Sequence, residues 1–279
     1  MTNRFLLLTS FWLLLAPKMI SLAQQAPVPK IKSFALGVID SISSKVLGET
    51  RTLNIYLPDG YRNDSIANYP TIYLLDGSAD EDFIHIAGLV QFANFPWVNL
   101  LAKSVVIGIA NVDRRRDFTY PTTIEKDKKD YPTTGHSQPF IDFLERELQP
   151  YIQKKYSNHP SKTIIGQSLG GLLATEILFK KPTLFTHYII VSPSLWWDNE
   201  SLLGQKPAFS QPDFGQKTAV FVAVGKEGKV METDAKRLVD LLRKGSPNSV
   251  RTEFHYFADE NHATIFHLAV YRAFERFKK

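Results

Sequence analysis

The sequence predicts an α/β domain in which a mostly parallel β-sheet carries helices on both faces. Short, continuous apolar runs bounded by turn residues recur along the chain, as expected of strands that are covered on both sides. Amphipathic helical patterns lie between these runs, and this alternation of strand and helix is typical of a doubly wound sheet. The 279-residue chain has a length that suits one such domain and shows no internal repeat.

Eight segments have the pattern of strands. The first two alternate in polarity and therefore predict an opening antiparallel pair, whereas the later segments are mainly continuous apolar runs. In chain order the predicted strands are 34–42, 50–57, 71–75, 105–109, 163–165, 188–191, 219–224 and 252–256.

Four segments have the pattern of amphipathic helices. The clearest, 137–156, begins with Ser137 as a cap and has Pro139 near its first turn. The other predicted helices cover 169–180, 234–244 and 263–277. Two long connections, 111–136 and 193–216, carry no predicted element, and loops of this length in a compact domain are commonly functional.

The amino-terminal residues have the features of an export signal. A basic start precedes the apolar run 5–17, and the small residues at Ser21–Ala23 suit a signal peptidase. The run is shorter than the roughly 20 residues that span a bilayer, and the chain has no cysteine to carry a lipid. We therefore expect a secreted or periplasmic protein without stable membrane insertion, with an uncleaved anchor as the alternative. The expected division is a signal peptide over 1–23, a flexible lead-in over 24–32 and one α/β domain over 33–279.

Composition argues against several classes of function. Because the chain has no cysteine, disulfides, thiol catalysis and thiolate metal sites are excluded. The net charge of +5 is small and its basic residues are interspersed with acidic ones, which does not favour nucleic-acid binding. The histidines lack metal-binding spacing, and neither a phosphate loop nor a dinucleotide fingerprint occurs. We therefore expect no metal and no cofactor.

The motif Gly-x-Ser-x-Gly at 166–170 has the context of a nucleophile elbow. It follows the apolar strand 163–165 and precedes a helical run, so that Ser168 lies at a strand-turn-helix junction. In such a turn, side chains at Gly166 and Gly170 are expected to collide with neighbouring backbone. The helix amino terminus also favours a developing oxyanion. The pattern predicts Ser168 as a catalytic nucleophile.

A serine hydroxyl needs a base to take its proton, and one of the seven histidines has the required position. In hydrolases with this elbow the base follows the last strand, where His262 lies directly before the final helix. The acid that orients the imidazole is expected after the penultimate strand, and Glu227 is the first carboxylate there. Glu232 and Asp234 are close alternatives, since acids near the start of a helix also favour its dipole.

Two backbone N–H groups are predicted to form the oxyanion hole. The first belongs to Leu169, directly after the nucleophile, and the second to Ser78 in the loop after the third strand. An ordinary turn at Asp76–Gly77 is the alternative reading of that loop.

With these residues in place, the chain resembles the esterase-D-like "putative esterase" family of α/β-hydrolases. The elbow 166–171 and the segment 192–197, Ser-Pro-Ser-Leu-Trp-Trp, are the most specific parts of the resemblance. Further matching segments are 74–77, 106–111, 113–117 and 260–263. Within the family, the chain is most similar to periplasmic and bacillibactin-type siderophore esterases. The resemblance implies an eight-stranded sheet and hydrolysis of carboxylic esters through an acyl-serine intermediate, with Ser168 and His262 matching the catalytic pair.

The resemblance also implies a substrate. In the siderophore branch this is a cyclic trilactone of catecholate-bearing serine or threonine, and relatives use an arginine near the substrate in the segment corresponding to 114–116. Arginine and tryptophan suit an anionic, aromatic partner such as an iron-loaded siderophore. The predicted substrate-binding residues are Arg114, Arg116, Trp196 and Trp197. A solvated loop for the arginines and packing of a lid onto the core for the tryptophans are the alternatives.

Other functions stay open at this point. Other branches of the family cleave feruloyl or acetyl groups from carbohydrates or transfer acyl chains. A binding protein that has lost catalysis is a further alternative, because fold does not dictate function. The presence of both the elbow serine and a late histidine argues against that alternative.

Overall fold

The apolar runs form the strands of one eight-stranded sheet. The computed structural model of the protein describes residues 34–211, 214–245 and 248–278, so that the predicted signal peptide and lead-in lie outside the described residues. The strands are β1 (Val38–Ser44), β2 (Glu49–Tyr56), β3 (Thr71–Leu74), β4 (Val105–Ile109), β5 (Lys162–Gln167), β6 (His187–Val191), β7 (Thr218–Gly225) and β8 (Val250–Phe257).

The strand order is β1-β2-β4-β3-β5-β6-β7-β8. β1 pairs antiparallel with β2, and β2 pairs antiparallel with β4, whereas every later pair is parallel. The predicted fold class, a mostly parallel sheet opened by an antiparallel pair, is confirmed.

Helices connect the parallel strands. They are α1 (Phe83–Ala93), α2 (Arg114–Phe118), α3 (Glu125–Asp130), α4 (Ser137–Phe143), α5 (Gln149–Lys155), α6 (Leu169–Lys180), the single turn α7 (Trp197–Glu200), α8 (Lys229–Gly245) and α9 (Phe266–Lys278). The predicted helix 137–156 is formed by α4 and α5 with a π-helical turn over Leu144–Leu148 between them. Pro150 has no N–H to donate to the preceding turn, which accounts for a break in the α-helical pattern at this position.

Two apolar layers cover the sheet. Alternate residues along a strand point to opposite faces, so that Ile164 belongs to one layer and Ile165 to the other. The first layer includes buried residues of α4, α6 and α8, and the second includes those of α1 and α9. In the described part of the chain, no helix combines the length and apolar character needed to cross a membrane.

The carboxyl ends of β5, β6, β7 and β8 lie side by side because these strands are parallel neighbours. Ligand and active sites of open α/β sheets form at this edge. The segments that follow these four strands carry Ser168, Ser192 to Ser194, Glu227 and His262 respectively.

Candidate active site

Ser168 occupies a tight turn between β5 and α6. Its backbone has φ 59° and ψ −119°, a conformation that a residue with a side chain rarely adopts. A Cβ atom on Gly166 would lie 2.3 Å from the carbonyl oxygen of Gly170, so the predicted backbone collision holds at Gly166. At Gly170 the nearest atom to such a Cβ is a side-chain oxygen of Asp76 at 3.3 Å, and the expectation of a backbone collision there is wrong.

His262 and Glu227 form a hydrogen-bonded pair. Nδ1 of His262 lies 2.5 Å from Oε2 of Glu227. The Glu227 side chain is 3% exposed, whereas that of His262 is 47% exposed, so the imidazole extends from a buried anchor into solvent. A carboxylate acceptor at Nδ1 favours the tautomer in which Nε2 can take a proton.

Three donors hold the Glu227 carboxylate. Oε1 accepts from the Ser192 hydroxyl and from the backbone N–H of Gly225 at 2.9 Å, while Oε2 faces His262. Burial raises the pKa of Glu227, but the hydrogen bonds outweigh burial and keep the pKa below its ordinary value. Glu227 is therefore ionised at neutral pH.

The two alternative acids have other partners. Glu232 accepts a hydrogen bond from the backbone N–H of Gly228 at 3.2 Å, near the start of α8. Asp234 is buried and lies 3.5 Å from Arg237. Burial raises the pKa of Asp234, as does the nearby Glu200 carboxylate. The structure thus brings Glu227, and neither alternative, to His262.

Ser168 and His262 line one open cleft of about 420 Å³. Within the part of the chain that the structure describes, the Ser168 hydroxyl has one hydrogen-bonding partner, the hydroxyl of Ser194 at 3.2 Å, and His262 is not in direct hydrogen-bond contact with it. Catalytic hydrogen bonds are often long or poorly aligned until substrate binds. The cleft is therefore lined by a strained serine and by a base whose ring is held from behind by a buried acid. Together these three residues are the set that acyl transfer requires.

Comparison with known proteins identifies the family. The family model described as "Putative esterase" matches residues 44–267. The chain belongs to this esterase family. The resemblance inferred from the sequence is confirmed, and the chain is a carboxylic ester hydrolase.

Individual relatives of the esterase support the same assignment. It is 30% identical over 244 residues to the ferri-bacillibactin esterase BesA of Bacillus subtilis (strain 168), covering 81% of this chain and 84% of the relative. It is 36% identical over 148 residues to a siderophore triacetylfusarinine C esterase of Aspergillus fumigatus, covering 50% and 49%. The crystal structure of the BES protein from Bacillus cereus superposes with a TM-score of 0.77 at 27% identity, covering 90% of this chain and 98% of that chain.

The two predicted oxyanion donors of the esterase, the backbone N–H groups of Leu169 and Ser78, differ in their present hydrogen-bonding partners. Leu169 is the first residue of α6, and the first N–H groups of a helix have no acceptor within the helix. The N–H of Gly77 donates to the carbonyl of Ile109 at 3.0 Å and is thereby committed to the sheet. The N–H of Ser78 lies 3.4 Å from the Glu81 carboxylate, a long contact at an exposed site. The assignment of Leu169 and Ser78 as donors stays a prediction.

Arg114 lines the cleft and is held by ionic contacts. Its guanidinium pairs with both carboxylate oxygens of Asp76, at 2.6 and 2.9 Å, and donates to the carbonyl of Gln167 at 3.3 Å. It therefore ties the loop after β3 to the residue before the nucleophile. Burial lowers the pKa of Arg114, but its bond to Asp76 outweighs burial and the pKa is raised overall.

The remaining cleft charges are acidic. Glu81 and Asp82 line the cleft with Asp76, so that three carboxylates face one guanidinium. Burial raises the pKa of Asp82 to about 6, and the negative charges of Asp76 and Glu81 act in the same direction. Ionisation of Asp82 above this pH therefore adds a further negative charge beside the nucleophile.

Arg116 lies in a separate ion cluster and not with the cleft-lining residues. Its guanidinium donates to Glu49 and to Asp117, each at 2.7 Å. Arg51, which is fully buried, pairs with the same two carboxylates. The cluster connects β2 to α2. The guanidinium of Arg116 is thus engaged by carboxylates of the protein, and the predicted contact of Arg116 with substrate is corrected to a structural role.

The two tryptophans do not form an exposed rim. Trp197 is fully buried, and its indole N–H donates to the carbonyl of Tyr120 at 2.9 Å. Trp196 is half-buried, with its ring centre 6.4 Å from that of Tyr131. The prediction of Trp197 as a surface residue of the mouth is corrected, because its large apolar ring packs into the core instead.

Among the contacts between the two long connections is one made by a single carboxylate, which we term the loop clasp (Thr122, Thr123 and Asp198). Oδ1 of Asp198 accepts from the backbone N–H of Thr123 at 2.6 Å and from the hydroxyls of Thr122 and Thr123 at 3.0 and 2.9 Å. Burial raises the pKa of Asp198, but the hydrogen bonds from Thr123 and its neighbours outweigh burial and lower the pKa. The clasp therefore keeps its charge at neutral pH.

Sequence reasoning missed the roles of Ser192 and Ser194. One hydroxyl bonds the acid and the other bonds the nucleophile. The available signal was the position of the Ser-Pro-Ser segment directly after a predicted strand, since the loops after neighbouring parallel strands converge. The acidic cleft residues Glu81 and Asp82 were missed as well, because they lie directly before helix α1, which the sequence patterns did not predict.

Proposed function

We propose that the esterase hydrolyses siderophore-type esters through an acyl-serine intermediate. The observation that carries the reaction is that His262, which is hydrogen-bonded to Glu227, lines one cleft with the strained Ser168. The substrate class is supported by the relatives, whose names specify ferri-bacillibactin and triacetylfusarinine C.

In the proposed reaction, Ser168 Oγ attacks the ester carbonyl while Nε2 of His262 takes the hydroxyl proton. Glu227 stabilises the resulting imidazolium through Nδ1. The tetrahedral intermediate collapses, and the leaving alcohol takes the proton from His262. Water then attacks the acyl-serine by the same path, which releases the acid and restores the Ser168 hydroxyl.

The negative charge of the intermediate needs donors that are in place beforehand. The N–H of Leu169 and that of Ser78 are proposed for this role, with the positive end of the α6 dipole behind the first. Donation from Ser78 requires its N–H to exchange the long contact with Glu81 for the oxyanion.

The charges of the cleft favour an ester that is neutral near the bond to be cleaved. Arg114 is already paired with Asp76, while Glu81 and Asp82 add negative charge. A carboxylate close to the scissile carbonyl is repelled by this arrangement, whereas a lactone bond is not. A trilactone whose anionic metal-binding groups lie away from its ester ring meets this requirement.

The proposal is tested by competition between substrates. Purified protein is incubated with a ferric catecholate trilactone and a feruloylated sugar together, and the products are followed by mass spectrometry, with Ser168→Ala as the blank. We expect linear catecholate fragments that are absent from the blank. Release of ferulate alone would assign the esterase to carbohydrate esters and overturn the siderophore proposal.

We also propose that the protein is exported and cleaved after Ala23. The support is the sequence of the first 23 residues, with its basic start, apolar run and small residues before the cleavage position. Mass spectrometry of the intact protein from an expressing cell tests this. A mature chain that begins at Gln24 is expected, and a chain that retains the apolar run contradicts cleavage.

A further inference from the structure

We propose that Ser194 is a further catalytic residue, whose hydroxyl donates a hydrogen bond to Ser168 Oγ while that oxygen carries negative charge. The two hydroxyl oxygens are 3.2 Å apart. Ser194 is 3% exposed, and among the described residues the nucleophile is the one hydrogen-bonding partner of its hydroxyl. The inference rests on the proposed esterase reaction at Ser168.

The backbone fixes this contact from both sides. The N–H of Ser194 donates to the carbonyl of Ser168 at 3.0 Å, and the N–H of Ser168 donates to the carbonyl of Val191 at 3.1 Å. α6 approaches the loop so closely that a Cβ on Gly171 would lie 3.0 Å from Cα of Pro193. These contacts fix the position of the elbow relative to the loop after β6, and they place the hydroxyls of Ser168 and Ser194 next to each other.

The direction of the bond follows from the other partners. Glu227 occupies Nδ1 of His262, so Nε2 is the acceptor for the Ser168 proton during attack. Once Ser168 donates to His262, its oxygen can only accept from Ser194. A buried hydroxyl prefers to donate where an acceptor is available, and an acceptor that carries charge strengthens the bond.

The bond acts at two points of the reaction. Negative charge develops on Ser168 Oγ as its proton moves to His262 and the bond to the carbonyl carbon forms. The charge returns when that bond breaks in deacylation and Oγ leaves, before the imidazolium returns its proton. The Ser194 hydroxyl keeps its own proton throughout, so its contribution is electrostatic.

The test compares Ser194→Ala with Ser137→Ala in the full chain. Ser137 is also fully buried, and its hydroxyl has no hydrogen-bonding partner in the described structure, so it controls for loss of a buried hydroxyl. We measure hydrolysis of p-nitrophenyl butyrate and the rate at which a fluorophosphonate labels Ser168. Both rates are expected to fall about 10- to 100-fold in Ser194→Ala with little change in KM, and to stay at the wild-type value in Ser137→Ala.

Two further readouts separate this role from a structural one. Ser194→Cys, which retains a weaker donor of similar size, is expected to lose less activity than Ser194→Ala. The inflections of the pH–rate profile are expected to stay in place, because the His262–Glu227 pair is untouched. Unchanged labelling in both Ser194 variants would overturn the inference, because the hydrogen bond would then have no effect on the rate. Faster labelling would overturn it as well, because the bond would then compete with proton transfer to His262. Absence of Ser168-dependent turnover in the wild type would instead overturn the proposed function.

Discussion

Glu227 differs from the other acids near α8 in having a partner on each oxygen. The Ser192 hydroxyl and the Gly225 N–H hold Oε1, which leaves Oε2 for His262. A side chain with so little rotational freedom orients an imidazole better than one exposed to solvent. Its lowered pKa contributes stability that is present above the unfolded-state pKa and is lost as pH falls through the folded value.

Replacing Glu227 by Gln is expected to lower kcat by a factor on the order of 10⁴, because the amide neither stabilises the imidazolium nor enforces the tautomer. The matched control is Glu232→Gln, on the same segment but bonded to Gly228. Steady-state kinetics with one ester substrate gives both values. Collapse of turnover in Glu232→Gln alone would assign the acid to that residue.

Asp82 gives the cleft a pH dependence of stability. Its pKa is raised from 3.8 to about 6, so the folded state binds the proton more tightly and the stability from this group is lost as pH rises toward 6. Asp82→Asn is therefore expected to be more stable than the wild type above pH 6, by on the order of 1–3 kcal/mol. Urea unfolding at pH 4 and pH 7 measures the difference, with the exposed Asp80→Asn as the control. Equal differences at the two pH values would contradict the expectation.

At the scale of elements, apolar runs gave the strands because burial on both faces leaves a continuous signal. Helix α1 escaped prediction: Phe83, Ile86 and Val90 are buried, but Ile84 and Phe92 are exposed, so the apolar stripe has no clear polar counterpart. The π-helical turn before α5 was not predicted either, because the apolar pattern over 137–156 indicated one continuous helix. Short helices α2 and α3 lie in a connection where their few residues cannot establish a period.

The approach of α6 to β5 makes Gly166 intolerant of a side chain. Gly166→Ala is expected to lower both stability and turnover, because the added Cβ would lie 2.3 Å from the Gly170 oxygen and displace the elbow. Gly88→Ala, in the interior of α1 with nothing within 4 Å of the added atom, is expected to stabilise the fold by about 0.5–1 kcal/mol. Thermal unfolding together with ester turnover measures both variants. A fully active and stable Gly166→Ala would contradict the strained turn.

For the whole molecule, the sequence could supply the residue types of the site but not all of their neighbours. Ser168, Glu227 and His262 followed from chain order relative to the strands. The contacts of Ser192 and Ser194 depend on β6 lying between β5 and β7, which the strand order across the sheet decides. Arg116 and Trp197 had residue types suited to a substrate, and only the tertiary packing shows which partners they have instead.

The ion cluster of Arg51, Arg116, Glu49 and Asp117 is expected to serve stability. Arg116→Gln leaves Asp117, which is fully buried, with less compensation, and should cost about 1–3 kcal/mol in unfolding free energy. Its KM and kcat for an ester should stay close to the wild-type values, whereas Arg114→Gln should lower turnover by releasing Asp76 and Gln167. Denaturant titration and steady-state kinetics decide between these roles. A raised KM in Arg116→Gln with unchanged stability would show instead that Arg116 contributes to substrate binding.

The loop clasp bears on whether the two long connections become ordered on folding or only when substrate binds. Asp198 binds two consecutive threonines of the first connection and thereby links the two connections that supply Arg114 and Ser194. To the extent that this link orders both segments in the free protein, their conformational entropy is lost on folding and does not oppose substrate binding. We therefore expect the esterase to discriminate among esters mainly by the shape that its cleft already has after folding, and less by rearrangement of these loops on binding.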